Sequence, residues 1–266
     1  MELIVCVKQI PDPEAPPASF KVDPTANKVI PPPGVPPVIS PFDENAVEAA
    51  LRVKDARGGK ITVLSLGNNL VRDVVKKPLA MGADQLVLLE DASFTEGDSW
   101  STAYALAMAI KKIGTYDIIF CGRVAGDWDA GQVGSGIAEF LGIPSITVAK
   151  KVEVVDGKVR VERLVADGFE VVEASMPCLV TVTSELGEPR YAPLKGIMAA
   201  AKKQPIIWKP QDIGVDPSKV GAPGRLTKLS KLFQPVKEAK CEIIGGDSPA
   251  EAAVNLALRL RQAKVI

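Results

Sequence analysis

Short runs of consecutive apolar residues alternate with helical patterns through the first half of the chain, and that alternation narrows the fold sharply. Residues 3–7, 61–66, 85–89 and 117–121 form such runs, and 145–149 is a weaker fifth. A strand that is apolar on successive positions buries both faces, as strands of a parallel sheet do. Between the runs, residues 45–57 place Ala46, Val47, Ala50, Leu51 and Val53 at helical spacing, and 102–113 place Ala103, Leu106, Ala107 and Ile110 on one stripe. Residues 133–141 run into Gly142, with Pro144 beyond, a common way to stop a helix. The order predicts an α/β fold with a doubly wound, mostly parallel sheet of right-handed βαβ units. Residues 69–81 read as a further helix ending at Gly82. Pro78 inside it removes a backbone bond and predicts a kink or a shortening.

Two regions depart from this pattern. From Pro11 to Pro41 the chain carries 11 of its 22 prolines. That excludes regular helix and predicts an extended excursion with a short hairpin near 20–30. Later, residues 151–155, the dipeptide Asp156-Gly157 and residues 159–164 give a β-hairpin signal, because Asp-Gly supplies the positive φ of a tight turn. Residues 169–174 and 178–183 are expected to continue it. From 208 to 247 no periodicity appears, and a structureless loop of that length does not belong inside a compact domain. It is predicted to be an arm lying on something else, closed by an amphipathic helix over 249–264 with Ser248 as N-cap. The expected organisation is an α/β unit with its hairpin over 1–205 and a C-terminal arm over 206–266.

Composition removes several function classes. The chain has 266 residues and no histidine. The commonest general base and metal ligand are therefore missing, and a Ser-His-Asp or Cys-His hydrolase is excluded. Redox chemistry, if present, must come from a bound cofactor. Lys+Arg and Asp+Glu both number 32, so the basic excess of a nucleic-acid binder is absent. No apolar run approaches the roughly 18 residues of a membrane span, and the first residues lack the basic start of a signal peptide. Cys6, Cys121, Cys178 and Cys241 are far apart without CxxC pairing and read as reduced thiols of a cytoplasmic protein.

Two segments stand out chemically. The first follows the run at 117–121: Gly122-Arg123-Val124-Ala125-Gly126-Asp127-Trp128-Asp129-Ala130-Gly131-Gln132-Val133-Gly134. A glycine-rich loop between a buried strand and a helix is where open α/β sheets hold nucleotides. Small residues admit a phosphate to the backbone, and the next helix offers free N–H groups. An ordinary strand-to-helix turn is the other reading, since the loop is neither GxGxxG nor a Walker A. Asp127 and Asp129 read as a helix N-cap and a polar contact rather than an acid–base pair. The second segment is Pro189-Arg190-Tyr191-Ala192-Pro193-Leu194-Lys195-Gly196-Ile197-Met198 with Lys202 and Lys203 beyond. Apolar Leu194, Ile197 and Met198 ringed by lysines suit a protein-docking surface or, equally, a helix packing its own core.

Several stretches together resemble the beta subunits of electron-transfer flavoproteins. The long one runs from Val161-Glu162-Arg163 through Asp167-Gly168-Phe169, Met176-Pro177-Cys178 and Glu185-Leu186-Gly187-Glu188-Pro189-Arg190-Tyr191 to Lys202-Lys203. Val7-Lys8-Gln9-Ile10-Pro11-Asp12, Pro41-Phe42-Asp43-Glu44-Asn45, Leu79-Ala80-Met81-Gly82 and the 122–134 loop follow the family's order, so the likeness covers essentially the whole chain. It implies an adenine-nucleotide-binding fold related to universal stress proteins. It implies nucleotide contacts at Cys6, at Ser40, Pro41, Phe42 and Asp43, at Leu66 and along 122–133. It implies that Leu194 anchors a partner dehydrogenase, such as an acyl-CoA dehydrogenase, and that the C-terminal arm wraps a flavin-bearing alpha subunit. The beta chain would carry AMP, with FAD mostly on the alpha subunit, or a second FAD that takes hydride from NADH in electron-bifurcating relatives. A quinone oxidoreductase or another acceptor would receive the electrons. Val124-Ala125-Gly126-Asp127 stands where many relatives carry Gln-Ala-Ile-Asp, and Ser40 where Asn is common. A stand-alone adenylating enzyme of related fold carries a glycine-rich phosphate loop after its first strand. Here Val7-Lys8-Gln9-Ile10-Pro11 places proline there. A stress-type nucleotide sensor is the alternative of another class.

Overall fold

The computed structural model describes residues 1–235 and 241–266. The chain opens with β1 (Glu2–Val7), β2 (Gln9–Ile10), the small hairpin β3 (Lys21–Asp23) and β4 (Lys28–Ile30), and β5 (Val38–Ile39). The proline-rich stretch is thus the predicted excursion with its hairpin. Helix α1 (Pro41–Arg57) begins at Pro41, a residue preorganised for a first helical turn, four positions before the periodicity places it. There follow β6 (Lys60–Gly67), α2 (Arg72–Val75), α3 (Lys77–Met81), β7 (Gln85–Glu90), α4 (Ser99–Ile113), β8 (Ile118–Gly122) and α5 (Gln132–Leu141). The helix expected at 69–81 is two short helices. Pro78 sits in the first turn of the second, where its missing N–H costs nothing, and Gly82 ends it at a φ of 131°.

Next come β9 (Ser145–Val155), β10 (Lys158–Val165), β11 (Gly168–Ser175) and β12 (Cys178–Val182). Asp156 and Gly157 turn between β9 and β10 at φ values of 50° and 76°, as the dipeptide predicts. Two expectations are corrected here. The runs at 145–149 and 151–155 are one 11-residue strand, with an irregularity marked by Val148 at φ 60°. The run at 178–183 does not prolong the hairpin. β12 turns back and inserts between β8 and β9, parallel to both. Its residues are all buried, which favours a central slot over an exposed edge.

The last elements are α6 (Leu194–Lys202), β13 (Ile206–Trp208), the short α7 (Gly221–Gly224) and α8 (Pro249–Gln262). The main sheet has nine strands in the order β11-β10-β9-β12-β8-β1-β6-β7-β13. Seven are parallel, and β10 and β11 form the antiparallel flank. One face packs on α1 and α3, with Leu3, Val5, Val63, Phe120 and Val180 in that core. The other packs on α4 and α5, with Ile4, Leu64, Val87, Ile119 and Leu179. The stretch that follows β13 starts on this second face, where Ile213, Val215 and Val220 are buried. Ser248 caps α8 by accepting from the Glu251 N–H, as expected from the sequence. That helix buries no residue, and residues 236–240 of the predicted arm lie outside the described residues. No described helix is long and apolar enough to cross a membrane.

Candidate functional site

The chain leaves β1 toward β6 and β7 on one side, then crosses to β8 on the other side of β1. Such a reversal opens a crevice beyond the carboxyl ends of the two strands. A cavity of about 850 Å³ lies there, floored by Cys6 and Cys121 and walled by Leu66, Thr102 and Leu106. The two cysteines sit side by side at the strand ends. A hydrogen bond to Cys6, and then burial, push the Cys121 thiol well above its ordinary range. Cys121 therefore stays a neutral thiol on that floor.

Asp43 joins the strand ends. In the first turn of α1, its carboxylate accepts the Lys8 N–H at 2.8 Å and the Gly122 N–H at 3.0 Å. Gly122 is required for this approach: a Cβ there would lie 2.4 Å from Asp43 Oδ1 and 2.8 Å from the Phe42 carbonyl carbon. Burial raises the Asp43 pKa to about 7, against the pull of those two N–H groups and of Lys8. The fold then binds a proton that the unfolded chain releases near pH 4. That stabilisation is complete below about pH 4 and is lost as pH rises through about 7. Asp43→Asn removes the titration. Denaturant midpoints at pH 4 to 8 are expected to show wild type losing stability relative to Asp43→Asn as pH rises; parallel curves would contradict it.

The loop after β8 is closed on itself. The Ala125 N–H donates to Ala130 O at 3.0 Å, and the Asp129 N–H to Ala125 O at 2.8 Å, with Asp129 at φ 52°. The Gly126 N–H reaches the hydroxyl of buried Ser40, and Lys8 Nζ holds both oxygens of Asp127 at 2.7 and 2.9 Å. The expectation that Asp127 or Asp129 caps the next helix is corrected. The N-cap of α5 is Gly131, and no side chain caps that terminus. Val133 and Gly134 in its first turn line the cavity, and the N–H groups of a first helical turn have no partner within the helix. Gly134 is packed so closely that a Cβ would lie 2.7 Å from Thr181 Cγ2. Arg123 stands over the Phe42 ring at 5.1 Å, and its buried Nε has no hydrogen-bond partner among the described residues.

Of the residues expected from the sequence, Cys6, Asp43, Leu66, Gly122, Arg123, Val124, Ala125, Trp128, Ala130, Gly131 and Val133 line this one cavity. Ser40, Pro41, Phe42, Gly126, Asp127, Asp129 and Gln132 are not part of that lining. The expectation missed the wall opposite. Asn27 and Lys28 of the β3–β4 hairpin, Asp98 at the start of α4, and Arg225, Thr227, Lys228 and Leu229 also face the cavity. No local motif marks these residues, and the chain brings them together across some 200 positions. Among the described residues, no cluster of three or more carboxylate or thiol groups is placed to hold a metal.

The second singled-out segment lies elsewhere. Leu194 opens α6 and is 74% exposed, with Ile197, Met198 and Tyr191 also outward. The reading of these side chains as the helix's own core contacts is set aside. What packs inward is Ala200, and Gly196, where a Cβ would lie 2.2 Å from Ala80 O. Lys202 is exposed, whereas Lys203 Nζ donates to the carbonyls of Ala83 and Asp84. The loop before α6 is rooted by Arg190, which donates to buried Glu48 at 2.8 Å and to Asp55 at 2.8 Å.

A mostly parallel nine-stranded sheet with a large crevice at its switch point defines a doubly wound α/β protein. Within that class, the chain belongs to the electron transfer flavoprotein family, in its beta-subunit branch, and works in electron transfer. The profile of the electron transfer flavoprotein domain matches residues 29–213. The chain is 41% identical over 267 residues to an electron transfer flavoprotein subunit beta of Thermoanaerobacterium thermosaccharolyticum, with all of both chains covered. It is 38% identical to a caffeyl-CoA reductase-Etf complex subunit, CarD, of Acetobacterium woodii, again over both whole chains. A FixA protein of Azorhizobium caulinodans is 39% identical, covering 90% of this chain and 86% of that one.

Proposed function

We propose that this chain is the nucleotide-holding half of a heterodimeric electron-transfer flavoprotein, and that the crevice at the ends of β1 and β8 takes FAD. The observation that carries the reading is the cavity of about 850 Å³ beside an uncapped helix terminus. Ligand pockets span roughly 300–1,000 Å³. An AMP molecule fills well under half of such a space, and a dinucleotide takes most of it. The buried, partnerless Nε of Arg123 and the free N–H groups of α5 suit its phosphates. FAD, when bound, supplies the redox chemistry that a histidine-free chain lacks. The chain's own residues bind and orient: the thiol floor excludes water, α5 faces the phosphates, and Asp43 fixes the strand ends.

The exposed Leu194, Ile197 and Met198 suit docking on an acyl-CoA or related dehydrogenase. Helix α8, with Val254, Leu256 and Leu258 outward, suits contact with a flavin-bearing alpha subunit. CarD is named as a subunit of a caffeyl-CoA reductase–Etf complex, which agrees with such a partner; a beta-bound FAD that oxidises NADH is the electron-bifurcating form of this reading. A quinone oxidoreductase or similar acceptor completes the path. Extraction of nucleotide from the chain purified with its partner subunit is the test. Two FAD per heterodimer is the expected result. One FAD with one AMP would restrict the chain to the simple carrier role, and no adenine nucleotide would overturn the reading.

A further inference from the structure

The wall facing the β8–α5 loop is a strap formed by residues 225–232, which no pattern in the sequence marks. It is tied at two separate places. Asp98 accepts the Leu226 N–H at 2.8 Å, the Thr227 N–H at 2.9 Å and the Thr227 hydroxyl at 3.1 Å, while its other oxygen caps α4 through the Ser101 N–H at 3.0 Å. Burial would raise the Asp98 pKa, but these donors outweigh it and hold the carboxyl down to about 2. It is thus a carboxylate at neutral pH. Farther along, Asn27 at the tip of the β3–β4 hairpin accepts the Leu232 N–H at 3.0 Å and donates to Ser230 O at 3.4 Å.

The strap brings charge to the cavity. Of the cations lining it, Lys8 is paired with Asp127 and Lys28 with Glu96. Arg225 and Lys228 have no carboxylate within 4 Å among the described residues, and neither does Arg123 on the opposite wall. Of the three carboxylates that line the cavity, Asp43 and Asp98 are already taken up by backbone N–H groups and Glu96 is paired with Lys28. Cations left unpaired on both walls of one cleft favour an anion between them.

We propose that residues 225–228 belong to the nucleotide site, with Arg225 and Lys228 holding the ligand's phosphates from the side opposite α5 and Asp98 acting as the positioning residue that sets them there. This rests on the cleft being the nucleotide site and adds the second half of its phosphate-binding surface.

The test titrates the full chain with its partner subunit, freed of nucleotide, with ADP and with adenosine. The double variant Arg225→Gln/Lys228→Gln leaves the backbone ties to Asp98 intact. It is expected to weaken ADP at least tenfold, to leave adenosine unchanged, and to flatten the dependence of ADP affinity on salt. Asp98→Asn is expected to speed amide exchange at Leu226 and Thr227 and to accelerate ADP release. ADP affinity unchanged in the double variant, or ADP and adenosine weakened equally, would overturn the assignment while leaving the cleft as the site. A wild-type complex that bound neither compound would instead overturn the nucleotide reading on which this rests.

Discussion

Gly122→Ala is expected to cost about 3 kcal/mol of stability and to remove nucleotide binding. The added methyl has nowhere to go. It meets Asp43 Oδ1 at 2.4 Å and the Phe42 carbonyl carbon and Cβ at 2.8 Å, so the first turn of α1 or the end of β8 must move. Overpacking of this kind costs roughly 1–3 kcal/mol. Displacing Asp43 also strands the Lys8 and Gly122 N–H groups, at about 1–3 kcal/mol for a buried unsatisfied donor. The melting temperature should fall by about 10 °C for a chain of this size. The same strand end floors the cleft, so ADP affinity should drop at least a hundredfold. Gly245→Ala is the control, because nothing lies within 4 Å of a Cβ there. It should change neither quantity. An unaltered melting temperature in Gly122→Ala would remove Asp43 from its central place.

Leu194→Ala should separate docking from folding. The side chain is 74% exposed and leads an element whose inward contacts are made by other residues. Exposed truncations of this kind alter stability by about 0.5 kcal/mol or less. An apolar anchor that fills a pocket on a partner is worth about 2–4 kcal/mol. Affinity for the dehydrogenase should therefore fall about 30-fold or more, with nucleotide content and melting temperature unchanged. Glu48→Gln should give a smaller loss of the same kind, because it loosens the Arg190 root that orients the loop. Loss of nucleotide in Leu194→Ala, or unimpaired dehydrogenase binding, would contradict the assignment.

The parallel half of the sheet was legible because burial on both faces leaves a local mark. Residues 3–7, 61–66, 85–89 and 117–121 are apolar at most positions, and each became a strand of the parallel sheet. Strand pairing leaves no such mark. Nothing in residues 178–182 tells a hairpin continuation from an inserted parallel strand, because that choice is set by β8 and β9, which lie far off in sequence. The start of α1 was missed for a related reason: Pro41 reads as a breaker in the sequence but is favourable in a first turn. In the site, the glycine loop announced itself by composition. The strap did not, since its residues have neither periodicity nor motif and are held by Asp98 from 128 or 129 positions away. Nor does the sequence mark the close approach of Gly196 to Ala80 O, which exists only once α3 and α6 are packed.

Hydrogen exchange of the complex with and without ADP tests the nucleotide assignment at the level of single segments. Amides over 131–134, at the start of α5, should exchange more slowly with ADP bound, and those of β11 at the far edge of the sheet should not change. Protection confined to segments away from β1, β8 and α5, or none at all with ADP at saturation, would contradict a nucleotide site between these strand ends.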